Sequence, residues 1–308
     1  MTSLDFGNVV LGGNVFGWTA DKNESFAVLD AFVAAGGRSI DTADVYSNWV
    51  PGNDGGVSEE IIGEWAASRG KRDEVVIGTK VFSLPARPGL SAANIAAAAE
   101  DSLRRLKTDY LDIYYAHRDD SSVPQEEYLA AFDALVKAGK VREVGASNFT
   151  ADRLRSAAVI AADAGLTPFT IAQDPWNLVE RGIEESLVPT LSELGIVELP
   201  YYSLASGFLS GKYRVGQTVD SARAGGAAAY LENPKNVELL GVLDDIAGAH
   251  GATVPAVSLA WLRAQSVVGA PIASARTVAH VPALLEHVEL SAEDVARLSA
   301  TTAPVAAA

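Results

Sequence analysis

Eight short apolar or β-branched runs recur along the 308-residue chain, and helical stretches separate most of them. The runs are NVVLGGNVFGW (8–18), RSIDTADV (38–45), EVVIGTKV (74–81), YLDIYYAH (110–117), VREVGASNF (141–149), FTIAQDPWN (169–177), GIVELPYYSL (195–204) and VGAPIASA (268–275). Their length and flanks suit strands buried on both faces. The segments between them follow the helical period. In ESFAVLDAFVAAGG, Phe26, Leu29, Phe32 and Val33 share a face and Gly36 and Gly37 supply a stop. Ser91 is placed to cap a helix with Ile95, Ala99, Leu103 and Leu106 inward, and Ser291 with Asp294 suits a capping box. Eight such units predict an α/β chain folded as a closed (β/α)8 TIM barrel, one domain over 1–308 with a loose tail at 301–308. No strand is followed by G-x-G-x-x-G, so the open dinucleotide-binding sheet is not expected. The long connection from Ser206 to Asn236 reads as a lid or an irregular loop, with Phe208 and Tyr213 as its aromatic anchors.

Composition narrows the function. Apolar residues make up 48% and charged residues 20%, enough for a large core. A net charge of −15 opposes nucleic acid or an anionic membrane surface as partner, yet an anionic cofactor needs only a local basic pocket. The absence of cysteine excludes disulfides, thiolate metal sites and cysteine nucleophiles, and no metal site is expected. No basic leader precedes an apolar stretch and no 18-residue apolar run occurs, so a cytoplasmic protein is expected.

In a barrel of this kind, active groups gather where strands end. Asp41 and Lys80 each interrupt an apolar strand, and a lone buried charge is costly, so each needs an opposite partner. Consecutive strands at matching heights would make them partners of each other. Tyr46 follows five residues after Asp41; an adjacent ammonium would lower its pKa and suit it as proton donor. His117 closes the next strand, placed to donate to a carbonyl oxygen gaining charge. Asp44 is expected to cap its turn.

IDTADVY, GTK, the histidine ending DIYYAH, GKVREVGASNF, PYYSLASGFLSGKYR and PIASAR occur in an order and spacing that resembles the aldo-keto reductases over nearly the whole chain. The resemblance implies a (β/α)8 barrel, a nicotinamide cofactor, usually NADPH with NADH the alternative, and reversible reduction of aldehydes or ketones. It implies Tyr46 as general acid, Lys80 as its tuning group, Asp41 as the holder of Lys80 and His117 as the group orienting the carbonyl. Ser147, Asn148 and Gln173 look like the carboxamide clamp, although Ser147 and Asn148 could also cap the next helix together with Thr150. Trp176 stands where the family often has a tyrosine under the nicotinamide. Tyr202, Ser203, Leu204 and Ser274 are expected cofactor contacts, Arg276 suits a phosphate, and Lys212 and Arg214 suit the pyrophosphate. His280 and Leu284 replace the glutamine and asparagine the family commonly carries after that arginine. Phe16, Trp18, Trp49 and Phe82 are read as an aromatic rim for a small-molecule carbonyl or alcohol substrate; Phe16 and Trp18 could equally be core, and Trp49 could staple its own loop. The pattern fixes no oligomeric state. Two rival readings are a nicotinamide-binding regulatory subunit without catalysis and a Schiff-base aldolase using Lys80.

Overall fold

The computed structural model describes residues 2–220 and 224–302. The first run shortens to β1 (Val10–Gly12), because a 3-10 turn at Gly13–Val15 ends the strand and carries Phe16 into the core. Asp21 and Glu24 form a capping box on α1 (Lys22–Ala34), whose buried face is Val28, Leu29 and Phe32, with Phe26 and Val33 only partly covered. Strands and helices then alternate: β2 (Ser39–Asp41), α2 (Val57–Arg69), β3 (Val76–Val81), α3 (Ala92–Leu106), β4 (Leu111–Ala116), α4 (Gln125–Lys137), β5 (Val141–Ser147), α5 (Ala151–Ala164), β6 (Ile171–Gln173), α6 (Leu187–Leu194) and β7 (Val197–Glu198). The long connection carries α7 (Ala224–Ala229) and runs into α8 (Pro234–His250), followed by α9 (Val254–Arg263), β8 (Ile272–Ala273), α10 (Val281–Leu285) and α11 (Ala292–Thr301).

The eight strands form one parallel sheet in the order β7-β6-β5-β4-β3-β2-β1-β8. It closes on itself, since Glu198 on β7 bridges Val268 and the Ile272 N–H donates to the Pro200 carbonyl. The chain is therefore a (β/α)8 barrel in a single domain. Tyr115, Ile113, Ile171, Leu199 and Phe6 fill the interior. A side chain at Gly145 would come within 2.4 Å of the Tyr115 ring, so that glycine makes room for the filling. A larger apolar layer lies between strands and helices, where Trp65, Tyr128, Phe132 and Trp261 are fully buried. Each such side chain contributes roughly 1.5–3 kcal/mol relative to exposure.

The expected caps form: Ser91 accepts from the Asn94 N–H at the start of α3, and Ser291 with Asp294 makes the box on α11. Thr301 closes α11 and Thr302 Oγ1 donates to the Leu178 carbonyl, so both are tied to the fold; 303–308 lie outside the described residues. The long connection is not structureless. It begins with a 3-10 segment, Ala205–Ser210, whose Phe208 is buried with Leu209, and Tyr213 is buried just beyond.

Candidate active site

Lys80 is the hub. Its Nζ, with no exposed surface, lies 2.6 Å from Asp41 Oδ1 and 2.7 Å from Oδ2, 2.8 Å from the Thr42 carbonyl and 3.1 Å from Tyr46 Oη. Register places Asp41 level with Gly78 and not, as expected, with Lys80. Lys80 stands two residues further along its strand, and its long side chain reaches across to the carboxylate. Tyr46 Oη sits 3.1 Å from Asp41 Oδ2, and Gln173 Nε2 donates to Asp41 Oδ1 at 2.8 Å. His117 presents its ring edge-on to Tyr46, with centroids 6.3 Å apart.

Burial holds Lys80 below the ordinary lysine range, and the Asp41 carboxylate opposes this. Tyr46 is pushed well above its ordinary value, by burial first and by Asp41 second. This reverses the expected direction. The loss of water and the Asp41 carboxylate, which touches both groups, outweigh the ammonium and favour the neutral phenol. Burial also keeps His117 well below its ordinary value, with Lys80 and Arg118 adding to the effect. At neutral pH the imidazole is uncharged, and its Nδ1 is buried without a partner.

A second polar chain adjoins the hub. Ser147 Oγ donates to the Gln173 carbonyl at 2.6 Å, and Asn148 Nδ2 donates to Ser147 Oγ at 2.9 Å and to the His117 carbonyl at 3.1 Å. Asn148 Oδ1 accepts from Tyr201 Oη at 2.8 Å. Asn148 is held in the left-handed region, at φ 58°, where its N–H donates to Asp174 Oδ1 at 3.0 Å. Thr150 alone caps α5, so Ser147 and Asn148 are not spent on the helix.

These groups share one cavity of about 690 Å³. Asp41, Tyr46, His117, Ser147, Asn148 and Gln173 line it, with Lys80 just beneath. Another part of its wall carries Lys212, Arg276 and His280. His280 Nδ1 accepts from the Arg276 N–H at 3.3 Å, and burial, then Arg276 and Lys212, depress its pKa. Among the described residues the Arg276 and Lys212 cations have no acidic partner. Elsewhere most cations are paired, as in Arg105 with Glu59 and Arg153 with Asp119.

The model of the Aldo/keto reductase family matches residues 8–303. The chain belongs to this family. It is similar to the aryl-alcohol dehydrogenase [NADP(+)] of Phanerodontia chrysosporium, 33% identical over 89% of this chain and 74% of the relative. The uncharacterized oxidoreductase YrpG of Bacillus subtilis is 32% identical over 94% of this chain and 90% of its own length. The norsolorinic acid reductase stcV of Emericella nidulans is 30% identical over 98% and 78%. The chain is thus an oxidoreductase of the aldo-keto reductase class. No helix among the described residues is long and apolar enough to cross a membrane.

Not every expected residue of this aldo-keto reductase reaches the cavity. Tyr202, Ser203, Leu204 and Ser274 line it, although the Ser203 hydroxyl is spent on the Pro200 carbonyl. Trp176 does not: β6 ends at Gln173, and the indole turns into the core, donates to Glu184 Oε1 at 2.9 Å and packs edge-on against Trp261. The aromatic face beside the clamp is that of Tyr201, which the sequence reading passed over. Arg214 turns away to Asp244, 2.7 Å from its Oδ1. Of the aromatic rim only Trp49 lines the cavity. Phe16 is core, Trp18 packs edge-on against Trp49 at 5.7 Å, and Phe82 lies half-buried against the core while Ser83 takes the wall. Asp44 does not cap its turn: both carboxyl oxygens are buried, and among the described residues no donor meets them in good hydrogen-bond geometry, although the adjacent Val45 N–H lies near enough to lower the pKa.

Proposed function

We propose that the protein reduces aldehydes or ketones reversibly with a nicotinamide cofactor, preferentially NADPH, and that Tyr46 delivers the proton. The observation that carries this reading is the contact of Tyr46 Oη with both Lys80 Nζ and Asp41 Oδ2, on the wall shared with His117. The residues present fit the cofactor. Ser147, Asn148 and Gln173 offer donors and acceptors to a carboxamide, Tyr201 offers an aromatic face, and Arg276 and Lys212, with no acidic partner among the described residues, are cations suited to phosphate. Reduced nicotinamide, when bound, supplies hydride to the carbonyl carbon.

The remaining chemistry is done by the side chains. His117, neutral and half-buried, donates from one ring nitrogen to the carbonyl oxygen and fixes its position. The Tyr46 phenol is protonated at neutral pH and gives its proton to that oxygen as negative charge develops. Lys80, 3.1 Å from the phenol oxygen, stabilises the phenolate left behind. In the reverse direction the same phenolate accepts the alcohol proton. Arg276 beside His280 favours the cofactor carrying the additional phosphate.

The aldolase reading finds no support, because Lys80 has no exposed surface and its donors are already engaged. The test is Tyr46→Phe. Turnover of a carbonyl panel, read by nicotinamide absorbance, should fall roughly 10²–10⁴-fold while NADPH binding stays near the wild-type value. Undiminished turnover in that variant overturns the role of Tyr46. Wild-type protein that binds both cofactors and reduces nothing favours the regulatory-subunit reading.

A further inference from the structure

Arg118 directly follows His117, is exposed, and lines the same cavity. Among the described residues no hydrogen bond, ion pair or ring contact engages its guanidinium. In a chain of net charge −15 this is unusual. The neighbouring acids are committed elsewhere: Asp119 takes Arg153 at 2.7 Å, and Asp120 accepts from Ser122 and from the Leu90 N–H. Asp174 is turned to the Asn148 N–H. Three cations of the cavity wall thus lack acidic partners among the described residues. Lys212 and Arg276 adjoin His280, where the proposed cofactor phosphates belong. Arg118 follows His117 in sequence, and its charge acts on His117 and Tyr201.

We infer that Arg118 binds a carboxylate carried by the substrate, so that the preferred substrates are aldehydes, aromatic ones in particular, bearing an anionic group at a distance from the reacting carbonyl. The inference rests on the carbonyl-reductase reading and deepens it. The aromatic part follows from Trp49, which lines the cavity, packs edge-on against Trp18 and lies 6.2 Å from the Tyr46 ring. A ring held beside Trp49 with its carbonyl at Tyr46 and His117 lies in the cavity whose wall also carries Arg118. The planar fork suits a carboxylate in two parallel hydrogen bonds. Positive charge there also recruits anionic substrate to a protein whose overall field repels it.

The test compares 4-carboxybenzaldehyde with benzaldehyde and with methyl 4-formylbenzoate, whose ester removes the charge and keeps the shape. With NADPH, kcat/KM for the carboxylate should exceed that for the ester by roughly tenfold or more, the worth of a charge-assisted hydrogen bond. Arg118→Gln should bring that ratio near one, and Arg118→Lys should restore part of it. A separate arm needs no turnover: 4-(hydroxymethyl)benzoate should quench tryptophan fluorescence at lower concentration than benzyl alcohol, and Arg118→Gln should erase the difference. A wild-type ratio near one in both arms, or a ratio that Arg118→Gln leaves unchanged, overturns the inference. Reduction of benzaldehyde together with such a ratio leaves the reductase reading standing without it. Preferential carboxylate binding with no turnover of any aldehyde supports the anion site and sinks the reductase reading.

Discussion

Lys80 Nζ and Asp41 Oδ1 lie 2.6 Å apart, the lysine fully buried and the carboxylate almost so at the floor of the cavity. Neither charge would be stable there alone. Removing one partner leaves the other buried and uncompensated, which costs on the order of 3–5 kcal/mol, whereas replacing both with apolar groups is far milder. Asp41→Leu should therefore destabilise the fold more than the double variant Asp41→Leu with Lys80→Met. Urea unfolding of the two variants, with the slope of the transition compared, decides it. Equal loss in both would mean that the pair is not coupled. Both variants should lose turnover: the double variant removes the amine beside the Tyr46 oxygen, and Asp41→Leu removes the carboxylate that sustains the charge of that buried amine.

Asp44 gives a dependence on pH. Burial, with Glu59 adding to it, raises its carboxyl to about 7, against the pull of Arg105 and Arg87. The folded state thus holds the proton more tightly than the unfolded chain. Stability from this group is complete below the ordinary value of 3.8 and is lost as pH rises through about 7. At 1.36 kcal/mol per unit the whole interval amounts to on the order of 4 kcal/mol. Asp44→Asn removes the titration. Its melting temperature relative to wild type should climb from about pH 4 to about pH 7 and level off above. A constant gap across that range would show that Asp44 is charged throughout.

Much of this arrangement is legible in the residues alone, and the failures have physical causes. Asp41 and Lys80 stand out because a charge interrupts an apolar strand, and barrel geometry brings strand ends together whatever their separation in sequence. Trp176 misleads because it lies only three positions past Gln173. The strand stops at Gln173, so proximity along the chain no longer sets direction. In the pair Tyr201 and Tyr202 both rings look alike on paper. A left-handed turn at Tyr202, φ 55°, leaves Tyr201 tied to Asn148 and Tyr202 exposed. Arg214 is claimed by Asp244, thirty residues on in a different element, which no local pattern announces. The direction of the Tyr46 shift turns on whether burial and Asp41 outweigh an ammonium at 3.1 Å, a balance of distances that sequence does not contain.

Asp174 is the third test, because it positions a group without touching the reacting atoms. Its Oδ1 accepts the Asn148 N–H, and its own N–H donates to Glu198 Oε1 at 2.8 Å. Asn148 pays a conformational cost for its left-handed backbone, and this hydrogen bond helps to keep it there. From that position the Asn148 side chain can reach His117, Ser147 and Tyr201 together. Asp174→Ala leaves a buried N–H unsatisfied, at roughly 1–3 kcal/mol, and frees Asn148 to relax. NADPH should then bind roughly tenfold more weakly, with kcat at saturating cofactor changed much less. Asp174→Asn keeps a carbonyl oxygen in place of the carboxylate and should recover most of the affinity. Fluorescence titration of the three proteins with NADPH separates the cases: recovery by asparagine marks positioning through the accepted hydrogen bond, and equal weakening in both variants would assign the effect to the lost carboxyl charge instead.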